Sequence, residues 1–240
     1  MNKRIRLCAT ICGAGVLLAA SAGCMGQAGR LPADRAFALS ASALSGTDSY
    51  GFAGELALYN PWGAMETKAA FEGEVNRHGS LKLNWTEPDD AASASRKGER
   101  IGEGYRPLSL LGPLGSRSST IDYAEPPSPG EPVRIRLLLD EDAAKQRVAD
   151  GLRKELEDMK ADKRLFAKDP EETRKRLEAA DRQLEAALSG LRVDTVVIWT
   201  ANPKSWFPSR MTEETKLTYV WDGKTYSEKM TSETNFLAKE

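Results

Sequence analysis

"METKAAFEGEV", residues 65–75, alternates along its whole length: Met65, Thr67, Ala69, Phe71, Gly73 and Val75 fall on one side, Glu66, Lys68, Ala70, Glu72 and Glu74 on the other. Successive side chains of a strand point to opposite faces, so the stretch reads as a long half-buried strand with a wet outer face. Upstream, "YGFAGELALY" (50–59) places Tyr50, Phe52, Leu56 and Leu58 on one face and ends in the turn Asn60-Pro61-Trp62-Gly63. Downstream, "NRHGS" (76–80) leads to Leu81, Leu83 and Trp85 alternating with Lys82 and Asn84. Residues 50–85 therefore predict a three-stranded antiparallel meander, since parallel neighbours need a longer crossover.

The same patterning extends outward in both directions. Pro32 to Ser45 reads as a helix with Phe37, Ala41 and Leu44 on one stripe and Gly46 as its stop. Residues 86–131 are rich in Gly, Pro, Ser and charge, which predicts a long loop with one short docked helix at Leu108, Leu110, Leu111 and Leu114. In "VRIRLLLD" (133–140), Val133, Ile135, Leu137 and Leu139 face inward. Two helices follow, the first with Val148, Leu152, Leu156 and Met159 on a stripe, the second opening at Asp169-Pro170-Glu171-Glu172 and carrying Leu177, Ala180, Leu184, Ala187 and Leu191. They predict an antiparallel helical hairpin with "DKRLFAK" (162–168) at its tip; its stripe also admits self-association, although packing on its own sheet is the commoner outcome.

"VDTVVIW" (193–199), apolar on both faces, predicts a central strand covered on both sides. In "KLTYVWDGKTYSEKM" (216–230), Asp222-Gly223 suits a two-residue type I′ turn and sets Tyr219 opposite Tyr226. The fold class is α+β: a curved antiparallel sheet covered by an N-terminal helix and an inserted helical hairpin at about 141–190.

The first residues read differently. Lys3, Arg4 and Arg6 precede an uncharged apolar run from Leu7 to Ala22, which is the layout of a secretory signal over residues 1–23. A spanning helix is disfavoured by the short run and by Gly13 and Gly15. Ser21-Ala22-Gly23-Cys24 resembles the lipobox of bacterial lipoproteins, which implies that Cys24 carries diacylglycerol and becomes the first mature residue; Ser21 stands where that family usually has Leu. Cysteine usage agrees, because Cys8 and Cys12 lie in the removed segment and Cys24 is then the one thiol left. Two acyl chains, at about 0.8 kcal/mol per buried methylene, hold a protein stably where one myristoyl chain is marginal. The expected organisation is a tether over 24–31 and one domain over 32–240, extracytoplasmic and anchored to the bacterial membrane.

"VVIWTANPKSWFPSRMTEETKLTYVWDGK" (196–224) resembles a passage of lipoprotein-carrier-like proteins, with Trp199, Pro208, Arg210, Leu217 and Tyr219 at the matching positions. The order of elements over roughly Pro32 to Phe236 is similar to the half-barrel of periplasmic lipoprotein carriers and related lipid-binding lipoproteins, and to poorly characterised lipoproteins of Gram-positive spore-formers. That resemblance implies an acyl chain or other hydrophobic ligand in the concave face of the sheet. The candidate lining is Phe71, Leu83, Trp85, Trp199, Tyr219, Trp221 and Tyr226, with plain core packing as the competing account. The charged hairpin departs from a simple lid. A half-barrel closed by it would be filled, and the protein would then be a non-enzymatic envelope interaction or regulatory lipoprotein.

Other classes find less support. Removing Lys3, Arg4 and Arg6 takes 34 basic residues to 31 against 35 acidic ones, with the signs interspersed, so there is no case for nucleic acid. His78 is the one histidine and sits in a turn; no G-x-S-x-G or S-x-x-K occurs, and Asp89-Asp90 lies in a polar stretch. No catalytic residue, metal ligand or cofactor is expected. Asn84-Trp85-Thr86 matches a glycosylation sequon, which a bacterial lipoprotein does not use. A two-lobed solute-binding component would need alternating β and α units, which are not visible.

Overall fold

The computed structural model describes residues 31–76, 80–86, 105, 107–114 and 119–238. Cys24 with the segment before it, His78 and Asp89-Asp90 lie outside the described residues. Eight strands form one antiparallel sheet: β1 (Tyr50–Tyr59), β2 (Met65–Val75), β3 (Leu81–Thr86), β4 (Ser119–Tyr123), β5 (Val133–Leu139), β6 (Arg192–Ala201), β7 (Pro208–Trp221) and β8 (Lys224–Ala238). Their order is β3-β2-β1-β8-β7-β6-β5-β4, so the sheet is not closed and β3 and β4 are its edges. The molecule is α+β, a curved half-barrel, as the patterning predicts. Its helices are α1 (Ala33–Ser45), α2 (Glu141–Ala161) and α3 (Pro170–Ser189), with short helical turns at Pro107–Leu110, Leu111–Leu114 and Lys163–Phe166.

The meander over residues 50–86 forms as expected, and the chain's last strand closes onto it: β1 pairs with β8 from Tyr50↔Ala238 to Tyr59↔Lys229. At the β7–β8 turn Asp222 has φ 48° and Gly223 φ 71°, the two positive values a type I′ turn requires, and Tyr219 pairs with Tyr226. Helix starts also follow local chemistry. The Asp140 carboxylate accepts from the N–H groups of Asp142 and Ala143, and that of Asp169 from Glu172 ahead of Pro170 at the first turn.

Two expectations need correction. Residues 86–131 are not all loop, because Ser119–Tyr123 adds edge strand β4 beside β5. Five residues set among Gly, Pro and Ser are too few for a period of two to stand out. The helix expected in that stretch is present, with Leu110 and Leu114 fully buried. Among the described residues strand β6 is covered on one side only. Val193, Thr195, Val197, Trp199 and Ala201 are buried, while Val196 and Ile198 are half-buried on the opposite, open face. Among the described residues no helix packs on those two side chains, and both line depressions of the outer face.

The helical hairpin forms, but its stripe is less buried than predicted: Leu156 is buried, while Leu152 and Met159 remain 38 and 39% exposed. Apolar side chains joining the core reach only Val148 and Ala149 on α2 and resume at Leu184 on α3. Beyond those positions the helices hold each other through Leu156 and the pairs Arg153–Glu185 and Lys160–Asp181, each at 2.7 Å.

Two glycines shape the meander. A Cβ on Gly54 would lie 1.9 Å from Glu233 O and 2.6 Å from Phe71 Cζ, and one on Gly73 would lie 2.3 Å from Phe52 Cζ. Both rings thus lie across glycine backbone. Overpacking of this kind costs about 1–3 kcal/mol, so Gly54→Ala is expected to lower the urea midpoint clearly. Gly151 in α2, with nothing within 4 Å of a Cβ, supplies the control: Gly151→Ala should leave the midpoint unchanged or raise it.

Candidate functional site

Strand registers sort the inner face into rows running across the sheet. One row reads Ile135, Trp199, Met211, Thr234, Gly54, Phe71, Trp85, and the next reads Leu137, Val197, Glu213, Ser232, Leu56, Ala69. Two rows further on, Leu217 follows Val193, and Tyr219 with Tyr226 ends the series at the β7–β8 turn.

This frame divides the seven candidate ligand residues into three groups. Phe71, Leu83 and Trp85 belong to the β2–β3 end, where Phe71 is buried, Leu83 and Trp85 are half-buried, and the rings of Phe71 and Trp85 meet edge-on at 5.3 Å. Tyr105 completes that cluster at 6.3 Å from each ring. Trp199 is apart from them and fully buried. Its ring meets Phe37 of α1 edge-on at 5.5 Å and Phe236 of β8 at 5.5 Å, and its Nε1–H donates to Ser40 Oγ at 2.8 Å. Tyr219 and Tyr226 stack at 5.8 Å, with Tyr219 Oη donating to Glu228 Oε1 at 2.6 Å, and Trp221 beside them is 43% exposed. Burial, and next the Glu228 hydrogen bond, push the Tyr219 phenol well up, so it stays a donor.

The sequence reading missed a buried polar network between the first and third of these groups. Glu213 of β7 is fully buried, and Arg147 of α2 reaches down to it, Nη2 to Oε1, at 2.6 Å. The same Nη2 donates to Thr215 Oγ1 at 3.2 Å, and Thr215 Oγ1 lies 2.7 Å from Glu213 Oε1 and 3.0 Å from Thr195 Oγ1. From the other side, Tyr105 Oη lies 2.6 Å from Ser232 Oγ and 3.1 Å from Glu213 Oε2. Burial, followed by the Glu213 charge, raises the Tyr105 phenol well above its ordinary range. Arg147 Nε, Thr67 Oγ1 and Thr234 Oγ1 are buried without a hydrogen-bond partner among the described residues. Parity was the signal available for Glu213: Met211, Glu213, Thr215 and Leu217 share one face of β7, and only the habit of placing glutamate outside hides it.

Among the described residues no helix covers the opposite face of the sheet. Two depressions of about 550 and 730 Å³ lie on it and share Ile198 and Thr212. The first reaches Tyr59 and Met65, the second the proline-rich turn Pro126-Pro127. Neither is lined by any of the seven candidate residues. The charges around them are already matched across strands, as in Lys68–Glu55 at 2.7 Å and Arg210–Glu233. Exposed pairs of this sort contribute about 0–1 kcal/mol each. Among the described residues no group of three His, Cys, Asp or Glu side chains is placed to hold a metal ion, and no helix is long and apolar enough to cross a membrane.

No protein-family model and no curated protein matches the chain. Among solved structures, an acyl-CoA thioesterase II, TesB2, from Mycobacterium marinum aligns over 86% of this chain and 91% of its own at 10% identity and a TM-score of 0.17, a likeness too slight to carry an argument.

Proposed function

We propose that the chain is a lipid-anchored protein of the bacterial envelope, held by diacylglycerol on Cys24, whose half-barrel is a packed scaffold and whose exposed surfaces meet an envelope partner. The observation that favours a packed scaffold over an acyl-binding chamber is the seating of α1. Ala36, Phe37, Ser40 and Leu44 are all buried against the inner face, and Phe37 and Ser40 occupy both the ring and the N–H of Trp199. A hydrophobic ligand pocket needs apolar surface left free, with few polar groups at its mouth. Here the apolar ground around Trp199 is taken by α1, and the other apolar side chains of the inner face, such as Leu56, Val193 and Val197, are buried in the same packed core, beside the charged and hydroxyl-bearing Glu213, Thr195 and Thr215. The lipobox-like Ser21-Ala22-Gly23-Cys24 supports the anchor.

Metabolic labelling with a fatty-acid analogue tests the anchor: the wild-type chain should be labelled and Cys24→Ala should not, and label retained by Cys24→Ala overturns it. Titration of the full chain with a fluorescent fatty acid tests the scaffold. No saturable binding is expected. Saturable binding that tightens with chain length, at about 0.8 kcal/mol per added methylene, would instead establish the acyl-binding reading.

A further inference from the structure

We propose that the end of the sheet carrying Trp62 and Trp221 is a membrane-contacting edge, which sets those two indoles into the headgroup region of the bilayer that holds the lipid anchor.

Strand registers leave that end projecting. Strand β1 pairs with β8 only as far as Tyr59↔Lys229, and β6 pairs with β7 only as far as Arg192↔Thr218. Beyond both, β7 and β8 run on through Tyr219↔Tyr226 to Trp221↔Lys224, a two-stranded tongue that no further strand flanks among the described residues. The stacked tyrosines stiffen it, and Asp222-Gly223 closes it. The β1–β2 turn stands beside this tongue. Lys229 Nζ lies 4.7 Å above the Tyr59 ring, and after burial and Glu228 the Glu66 charge adds to the rise of the Tyr219 phenol.

That turn is held firmly. Asn60 Oδ1 accepts from the N–H groups of Trp62 at 3.1 Å and Ala64 at 2.9 Å, the Asn60 carbonyl accepts from Gly63 at 2.9 Å, and Gly63 takes φ 80°. Trp62 nonetheless leaves 83% of its surface in water, and Met65 and Val220 are each more than half exposed. Ordered turns that gather large apolar side chains in solvent mark a contact surface.

The chemistry favours lipid as the partner. An indole has an apolar body and a single N–H, which suits the headgroup level of a bilayer. The tip has no net charge, since residues 59–66 and 216–230 set Lys216, Lys224 and Lys229 against Glu66, Asp222 and Glu228. Two projecting turns of this kind fit a fluid surface, which demands no matching shape or charge. The tether length agrees. Tyr123 Oη donates to Leu31 O at 2.7 Å, and Tyr123 lies in the row that continues through Ile135 and Trp199 to Met211. From Met211 to Trp221 the strand rises about 33 Å, whereas the chain from Cys24 to Leu31 extends to about 25 Å at most. The tip therefore reaches the plane of the Cys24 lipid only with the strands inclined at no more than about 50° to it. This orientation rests on the Cys24 anchor; the affinity of the tip for lipid does not.

The chain from Met25 onward keeps every described residue and carries no lipid. It is titrated with phosphatidylcholine vesicles whose acyl chains are brominated, bromine being a short-range quencher of indole fluorescence. Wild-type fluorescence should fall saturably, because Trp199 is buried and Trp85 and Trp206 are half-buried, which leaves Trp62 and Trp221 to meet the lipid. With Trp62→Ser and Trp221→Ser combined, the lipid needed for half-binding in vesicle sedimentation should rise at least about tenfold, as apolar contact is lost, while the urea midpoint stays near wild type. Added salt should leave wild-type binding unchanged, since no net charge takes part. Wild-type tryptophans left unquenched at millimolar lipid, or equal binding by wild type and the double variant, overturns the proposal and assigns the tip to a protein partner. Neither result touches the Cys24 anchor, which acyl labelling decides separately; loss of that anchor would in turn remove the inclination and leave the tip's own binding in place.

Discussion

Trp199→Ala is expected to lower the free energy of unfolding by about 3–5 kcal/mol, the range for emptying a large buried aromatic site, and to do so more severely than any other truncation on the α1 side of the sheet. The indole is fully buried in the middle of an interlock: Phe37 meets it from α1, Phe236 from β8, and Ser40 accepts its N–H. Removing it leaves a cavity that rigid strands on either side cannot collapse into, and it leaves the Ser40 hydroxyl buried without its donor. Urea unfolding separates these contributions. Ser40→Ala alone should cost about 1–3 kcal/mol, since it strands the indole N–H, and Trp199→Phe should cost less than Trp199→Ala because most of the volume survives. Combining Ser40→Ala with Trp199→Phe should give less than the sum of the single changes, as expected for two side chains sharing one hydrogen bond. Should Trp199→Ala fall within about 1 kcal/mol of wild type, the seating of α1 is not what fills the half-barrel, and the packed-scaffold reading loses its support.

Much of this architecture is legible locally. The alternation in 65–75 and the Asp222-Gly223 turn each name their own structure, because face and turn type depend on residues a few positions apart. The patterning points Phe71 and Trp199 inward, and both are buried. What stays hidden is set at long range. Nothing near Tyr50 announces that β1 pairs with β8, some 180 residues on, and β4 becomes a strand only because β5 presents an edge to it. The seven candidate lining residues share an apolar or aromatic character, and character alone does not say that registers place Trp199 under α1, Phe71 and Trp85 beside Tyr105, and Tyr219 by the distal turn. Glu213 shows the same limit from the other side. Its parity points inward, yet a buried carboxylate is credible only once a cation is known to meet it, and Arg147 lies 66 positions away on another element.

Glu213→Ala is therefore expected to rank with Trp199→Ala, at about 3–5 kcal/mol, because it removes one half of a buried pair and strands the other. Arg147, with its side chain 16% exposed and its Nε already unpartnered, would keep only the Thr215 hydroxyl as a hydrogen-bond partner among the described residues, and Tyr105 would lose one of its two hydrogen bonds. The reverse truncation, Arg147→Ala, should cost less in equilibrium stability, since α2 can shift and water can reach the Glu213 carboxylate once the long side chain is gone. Replacing both partners distinguishes the cost of an orphaned charge from the worth of the pair. Arg147→Met with Glu213→Leu should lie within about 1 kcal/mol of wild type, or above it, because apolar residues of similar volume commonly substitute for a buried pair without loss. If instead the double variant is as unstable as Glu213→Ala, the surrounding hydroxyls of Thr195, Thr215 and Ser232 cannot tolerate an apolar centre, and the network acts as one unit in which the ion pair is required for the others to be satisfied.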